Sequence, residues 1–144
     1  MVWAAALTLG VTAAGVSAAW AEDIEIEPGQ WMYSIAVGQG EAPLNVVDED
    51  SECVTPEESK QSLSELLAEG EDSCTYSNIQ QAGGRITGEM YCKSSDSPME
   101  TKGNFTVVYD RTSVEITGES TISMAGNSSL VRFKNVGKHI GPCS

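Results

Sequence analysis

Cys74-Thr75-Tyr76-Ser77-Asn78-Ile79-Gln80-Gln81-Ala82-Gly83-Gly84-Arg85-Ile86-Thr87-Gly88-Glu89-Met90-Tyr91-Cys92 is the stretch that decides the fold. Both flanks are strand-like, and the Gly-Gly between them is a turn signal. Folded about Gly83, the stretch sets Cys74 opposite Cys92, Tyr76 opposite Met90 and Asn78 opposite Gly88. Strand side chains alternate with period two, so Cys74, Tyr76, Met90 and Cys92 share one face and the register is self-consistent. This predicts a hairpin closed by a Cys74–Cys92 disulfide. The chain has four cysteines, so Cys53–Cys143 follows by elimination, tying the front of the domain to its last residues.

The same alternation runs outward from the hairpin. On the C-terminal side, Phe105, Val107 and Tyr109 alternate with polar residues, and Asp110-Arg111-Thr112-Ser113 is turn-like. Val114, Ile116, Ile122 and Met124 then alternate with Glu115, Thr117, Glu119, Thr121 and Ser123. Ala125-Gly126-Asn127-Ser128 is a further turn, and Leu130 to Val136 a last strand. On the N-terminal side, Gln30 to Val37 reads as a strand with Trp31, Tyr33, Ile35 and Val37 on one face, and Leu44 to Val47 as a short one. Thr55-Pro56-Glu57-Glu58 reads as a helix start, with Thr55 as cap, Pro56 in the first turn and Glu58 completing a capping box. Leu63, Leu66 and Leu67 give it an apolar stripe, and Gly70 closes it. The expected fold is mainly β: a single antiparallel meander sheet with one short amphipathic helix at about residues 56–69. One face of the sheet is covered, by the helix or by the sheet's own curvature into a half-barrel.

The chain is strongly acidic. Its 144 residues hold 21 acids against 8 Lys and Arg, a formal charge of -13. Nucleic acid is a poor partner for such a chain, because phosphate contacts need clustered cations. The charge is unevenly spread: residues 22–73 carry 15 acids and one base, residues 74–144 carry 6 acids and 7 bases. Met1 to Ala21 has no charged side chain and ends Ala19-Trp20-Ala21, small residues at the positions a signal peptidase reads. Residues 1–21 are therefore expected to be a signal peptide, and residues 22–144 a single disulfide-stabilised β-rich domain without a stable membrane anchor. The first cation is Lys60, so the usual basic start of such a signal is missing and the natural start is expected upstream of Met1. Four cysteines in an exported chain read as disulfides; none are spaced as zinc ligands or as C-x-x-C.

Candidate sites are few. Trp31 and Tyr33 are candidate ligand-binding residues for an apolar pocket, against the plainer reading of strand aromatics as core. Asp48, Asp50 and Glu52, with Glu49, form the densest carboxylate cluster and a weak Ca²⁺ candidate. The spacing is not that of an EF-hand, and a solvated acidic loop is the plainer reading. His139 is the one histidine, so a Ser-His-Asp arrangement would run through it, yet no nucleophile motif accompanies it. Arg132 and Lys134 share a face of the last strand, where they could meet an anion or form a wet surface.

Taken in order, Pro28-Gly29-Gln30-Trp31, Cys53-Val54-Thr55-Pro56-Glu57, the two cysteines at 74 and 92, and the ending Gly141-Pro142-Cys143 resemble the bacterial domain-of-unknown-function family 3617. These are small exported four-cysteine proteins of Gram-negative bacteria, and the resemblance covers essentially the whole mature chain. It implies a periplasmic protein with no assigned activity and no catalytic or binding residues to carry over. Gly38 to Pro43 departs from the Met- and Pro-richer stretch expected of relatives, so no methionine metal site is implied here. The expected function is a non-enzymatic binding or interaction module. It would be a monomer without cofactor, taking a small apolar ligand or an envelope protein partner. The alternatives are an envelope stress or structural protein acting through its acidic front half, and a hydrolase using His139.

Overall fold

The computed structural model describes residues 23–62 and 73–144. The expected signal peptide, and the leucines and glycine of the expected helix (Leu63, Leu66, Leu67, Gly70), lie outside the described residues. Among the described residues nine strands are present: β1 (Asp23–Glu25), β2 (Gly29–Gln39), β3 (Asn45–Val54), β4 (Lys60–Ser62), β5 (Cys74–Ala82), β6 (Arg85–Lys93), β7 (Glu100–Tyr109), β8 (Ser113–Met124) and β9 (Asn127–Gly141). Seven of them form one antiparallel sheet in the order β3-β2-β9-β8-β7-β6-β5, and β1 pairs with β4 in a separate ribbon. The large sheet is open, with β3 and β5 at its edges. The meander β5 to β9 follows the expected order, and the β2–β3 hairpin joins it through β2 and β9.

The helix expected at about residues 56–69 is not present among the described residues. Its N-terminal signal is real: Thr55 N and Oγ1 donate to Glu58 Oε2 at 2.9 and 3.1 Å, and Glu58 N donates back to Thr55 Oγ1 at 3.3 Å. Ser59 N reaches Thr55 O at 3.0 Å, which closes one turn. The chain then extends. Ile26 N donates to Ser59 O, and Lys60, Gln61 and Ser62 pair with Glu25, Ile24 and Asp23. A single capped turn is marginal on its own. Here the competing strand pairing accompanies burial of Ile24 (8% exposed) and Ser59.

The Cys74–Cys92 hairpin holds the expected register at its base, with Cys74 opposite Cys92 and Tyr76 opposite Met90. Nearer the turn it differs: Gln80 faces Thr87 and Ala82 faces Arg85, so Asn78 shares the place against Gly88 with Ile79. Gly83 and Gly84 both have positive φ, 59° and 77°, as a two-residue type I′ turn demands. A two-residue turn is out of step by one residue with the pairing at the disulfide. A bulge between Ser77 and Gln80 absorbs the difference, with Asn78 at φ 51°. The bulge turns Ile79 inward, where it is buried beside Ile24, Ile86 and Phe105.

The inner face of the sheet carries Tyr33, Tyr76, Ile86, Phe105 and Phe133, from strands near both edges and the middle, around one cavity. The sheet therefore curves, and the β1–β4 ribbon with the 55–59 turn lies across its hollow. Glycines permit the close packing. Gly88, Phe105, Gly118 and Phe133 stand opposite one another in turn across β6 to β9. A Cβ on Gly88 would come within 2.7 Å of the Phe105 ring, and one on Gly118 within 2.5 Å of the Phe133 ring and closer still to the Asn104 carbonyl. Each Phe ring thus covers a neighbouring glycine. Gly118→Ala is expected to destabilise by about 1–3 kcal/mol, because the Asn104 carbonyl is backbone and cannot swing aside. Urea unfolding reads this directly, and an unchanged midpoint would refute the close approach.

Candidate functional site

The cavity has a volume of about 400 Å³. Ile24 and Ile26 come from the ribbon segment, and Ile86, Val107, Val114 and Ile116 from the sheet. Among the described lining residues Glu58 carries the one charge. Its carboxylate is held below the usual carboxylate range, first by the Thr55 backbone N–H and then by the Thr55 hydroxyl. The capping box that fails to start a helix therefore fixes a carboxylate at the cavity's edge.

The two aromatic candidates separate. Tyr33 lines the cavity. Burial first, and the Glu52 charge second, push its phenol above the ordinary value. Trp31 is fully buried and is not among the lining residues. Its ring stacks on Tyr33 with centroids 6.3 Å apart and meets His139 edge-on at 5.9 Å. Its Nε1 donates to the Glu27 carbonyl at 2.8 Å. Trp31 is thus the wall behind Tyr33. Gly137 lies beneath the Tyr33 ring, where a Cβ would come within 2.7 Å.

His139 sits behind the same aromatics, with Nε2 3.2 Å from the Pro28 carbonyl oxygen. There it helps hold the Pro28-Gly29 entry to β2. Arg132 is committed to the β2–β3 loop, its Nε donating to the Gly40 carbonyl at 2.8 Å and its second guanidinium nitrogen to the Ala42 carbonyl. Lys134 lies 3.7 Å from Glu115. These partners replace the anion site considered for the pair. Arg111, in the β7–β8 turn, reaches Glu25 at 3.3 Å and Glu27 at 3.1 Å, fastening the ribbon segment to the sheet.

Asp48, Asp50 and Glu52 do not lie in a loop. They belong to edge strand β3, opposite Ile35, Tyr33 and Trp31 respectively. Side chains on one face of a strand repeat about every 7 Å, whereas Ca²⁺ needs its oxygens at roughly 2.3–2.6 Å. Among the described residues no group of three or more His, Cys, Asp or Glu is arranged to hold a metal ion. No helix among them is long and apolar enough to cross a membrane.

Both disulfides are formed as expected, Cys53–Cys143 with Cα atoms 5.5 Å apart and Cys74–Cys92 with Cα atoms 4.0 Å apart. The family model described as "Protein of unknown function (DUF3617)" matches residues 26–143. The chain belongs to this family. The DUF3617 match runs from Ile26, at the cavity, to the last cysteine, so it spans both disulfides and the whole seven-stranded sheet. No curated protein matches the chain, and no solved structure matches it.

The sequence reading missed Ile24 and Ile26 as lining of the hollow and Ile79 as part of the core beside it. Ile24 and Ile26 alternate with acids over Asp23 to Glu27, which is a strand signal. Ile79 becomes inward only through the bulge.

Proposed function

We propose that this protein is a non-enzymatic binding module of the periplasm that takes a small apolar ligand in the hollow of its sheet. The observation that carries the reading is the cavity of about 400 Å³. That volume falls in the range of small-molecule sites, which are concave and mostly apolar with a few placed polar groups. Glu58 and Tyr33 are among the placed polar groups here, with Ser59, Tyr76 and Tyr109. Two disulfides, together with the uncharged run Met1 to Ala21 and its small-residue ending, support export to an oxidising compartment. His139 and the four cysteines are each engaged structurally, which favours binding over catalysis.

The neutral fluorescent probe N-phenylnaphthylamine tests the reading. Its emission is expected to rise and saturate at one molecule per chain. Val107→Trp places an indole in the hollow from the middle of β7, and is expected to weaken probe binding at least tenfold while the chain still unfolds cooperatively. A folded Val107→Trp chain that binds the probe as well as the parent would overturn the cavity as the site. Met90→Trp provides a second blocking variant from β6.

A further inference from the structure

The charged side chains of the seven-stranded sheet are sorted by face. Strand parity and the pairing register place Arg85, Lys93, Lys102, Arg132, Lys134 and Lys138 outward. Glu49, Glu89, Glu100, Glu115 and Glu119 accompany them there, so the outer face is near neutral. The inward charges of the sheet are Asp48, Asp50 and Glu52, and all three are carboxylates. They stand one strand beyond the cavity wall, about 4.8 Å along the hydrogen-bonding direction, with Asp50 directly opposite Tyr33. None of the three forms an ion pair among the described residues.

Glu58 adds a fourth carboxylate at the cavity itself. Of the cations on the ribbon side, Arg111 is bridged to Glu25 and Glu27, and Lys60 stands opposite Glu25 in the ribbon, out of step with Ile24. The interior is apolar and its rim is negative. A neutral ligand gains nothing from such a rim, and an anionic one is repelled by it. A cationic end gains from the carboxylates, and an ammonium can also rest on the Tyr33 ring. After burial, the Glu52 carboxylate on β3 also holds the Tyr33 phenol above its ordinary value, in line with that geometry.

The geometry points to a cationic amphiphile as the occupant: an apolar body held in the hollow, with one amine or quaternary ammonium group at the rim formed by Glu58 and the inward carboxylates of β3. This rests on the apolar-ligand reading above and adds the sign of the ligand's charge.

Three probes with the same chain and different heads provide the test: decyltrimethylammonium, decanol and decanoate. They are titrated calorimetrically into the full chain, below micelle formation. Ionic strength is kept on the order of 0.01 M, where screening is weak. Decyltrimethylammonium is expected to bind about tenfold or more tighter than decanol, with decanoate weakest. The variant D48N/D50N/E52Q lies on an exposed edge strand and is expected to fold; it should remove most of the difference and leave decanol unchanged. Glu58→Gln keeps a capping-box residue and should narrow the difference further. Equal affinity for decanol and decyltrimethylammonium would overturn the inference while leaving the apolar-ligand reading standing. So would a preference that survives all four neutralisations. Absence of binding by all three probes would remove both.

Discussion

Replacing Cys53 and Cys143 together by serine is expected to cost about 4–5 kcal/mol, and replacing Cys74 and Cys92 about 3 kcal/mol. The difference comes from the lengths of chain closed, 90 residues against 18, because a longer loop loses more freedom when its ends are tied. Local structure acts in the same direction. The Cys74–Cys92 hairpin keeps its Gly83-Gly84 turn and its ladder to β7 when the bridge is cut. The 53–143 bridge instead joins the end of edge strand β3 to the chain just past β9. Among the described residues the buried core is small, with Trp31 and Ile86 the large side chains fully enclosed. Domains are stable by roughly 5–15 kcal/mol in all, so the Cys53/Cys143 double variant is expected to lose about a third or more of its stability and to unfold at markedly lower urea. Urea unfolding of both variants measures the order. A larger loss from the Cys74/Cys92 pair would show that the constraint on the unfolded chain is not what stabilises this domain.

What could be read ahead of the structure was whatever depends on alternation and counting. The pairing of Cys74 with Cys92 and of Tyr76 with Met90 follows from period two and a turn. So does the one-sided row Trp31, Tyr33, Ile35 and Val37 on β2. What failed was decided by partners distant in sequence. Thr55 and Glu58 form their capping box as read, yet the turn does not propagate, because Lys60 to Ser62 pairs with residues 23–25 instead. Asp48 to Glu52 looked like loop by composition. It is strand because β2 offers it a full ladder from Gly29 to Val37, and because an edge strand tolerates charge and is protected by it from further pairing. The bulge at Asn78 was implicit in the arithmetic: a two-residue Gly-Gly turn and a Cys74–Cys92 pair cannot share one unbroken register. The sorting of charge by face was likewise present in the residue parities, but only the register of β3 against β2 shows which side its acids take. The charge of -13 is thus less a property of the whole chain than of residues 22–73, and on the described sheet its one-sided part is the inward row Asp48, Asp50 and Glu52.

The separation of Trp31 from Tyr33 gives the second large expected effect. Trp31→Ala is expected to cost about 3–5 kcal/mol, the range for emptying a fully buried large aromatic site. The indole is completely enclosed, braces the Tyr33 ring and His139, and satisfies the Glu27 carbonyl beside the ribbon. Its loss should therefore loosen β1 as well as β2, since Glu27 N is also bonded to the Arg111 carbonyl at 2.6 Å. Probe binding by Trp31→Ala should fall only in proportion to the fraction unfolded. Tyr33→Leu should do the reverse: it keeps an apolar wall on the cavity, removes the ring at its rim, and is expected to change the affinity for decyltrimethylammonium more than the unfolding midpoint. Urea midpoints and calorimetric affinities, measured on the same preparations, separate the two roles. If Trp31→Ala retained parental stability but lost binding, Trp31 would be a ligand contact rather than the wall behind one. The cavity would then extend past Tyr33 toward His139.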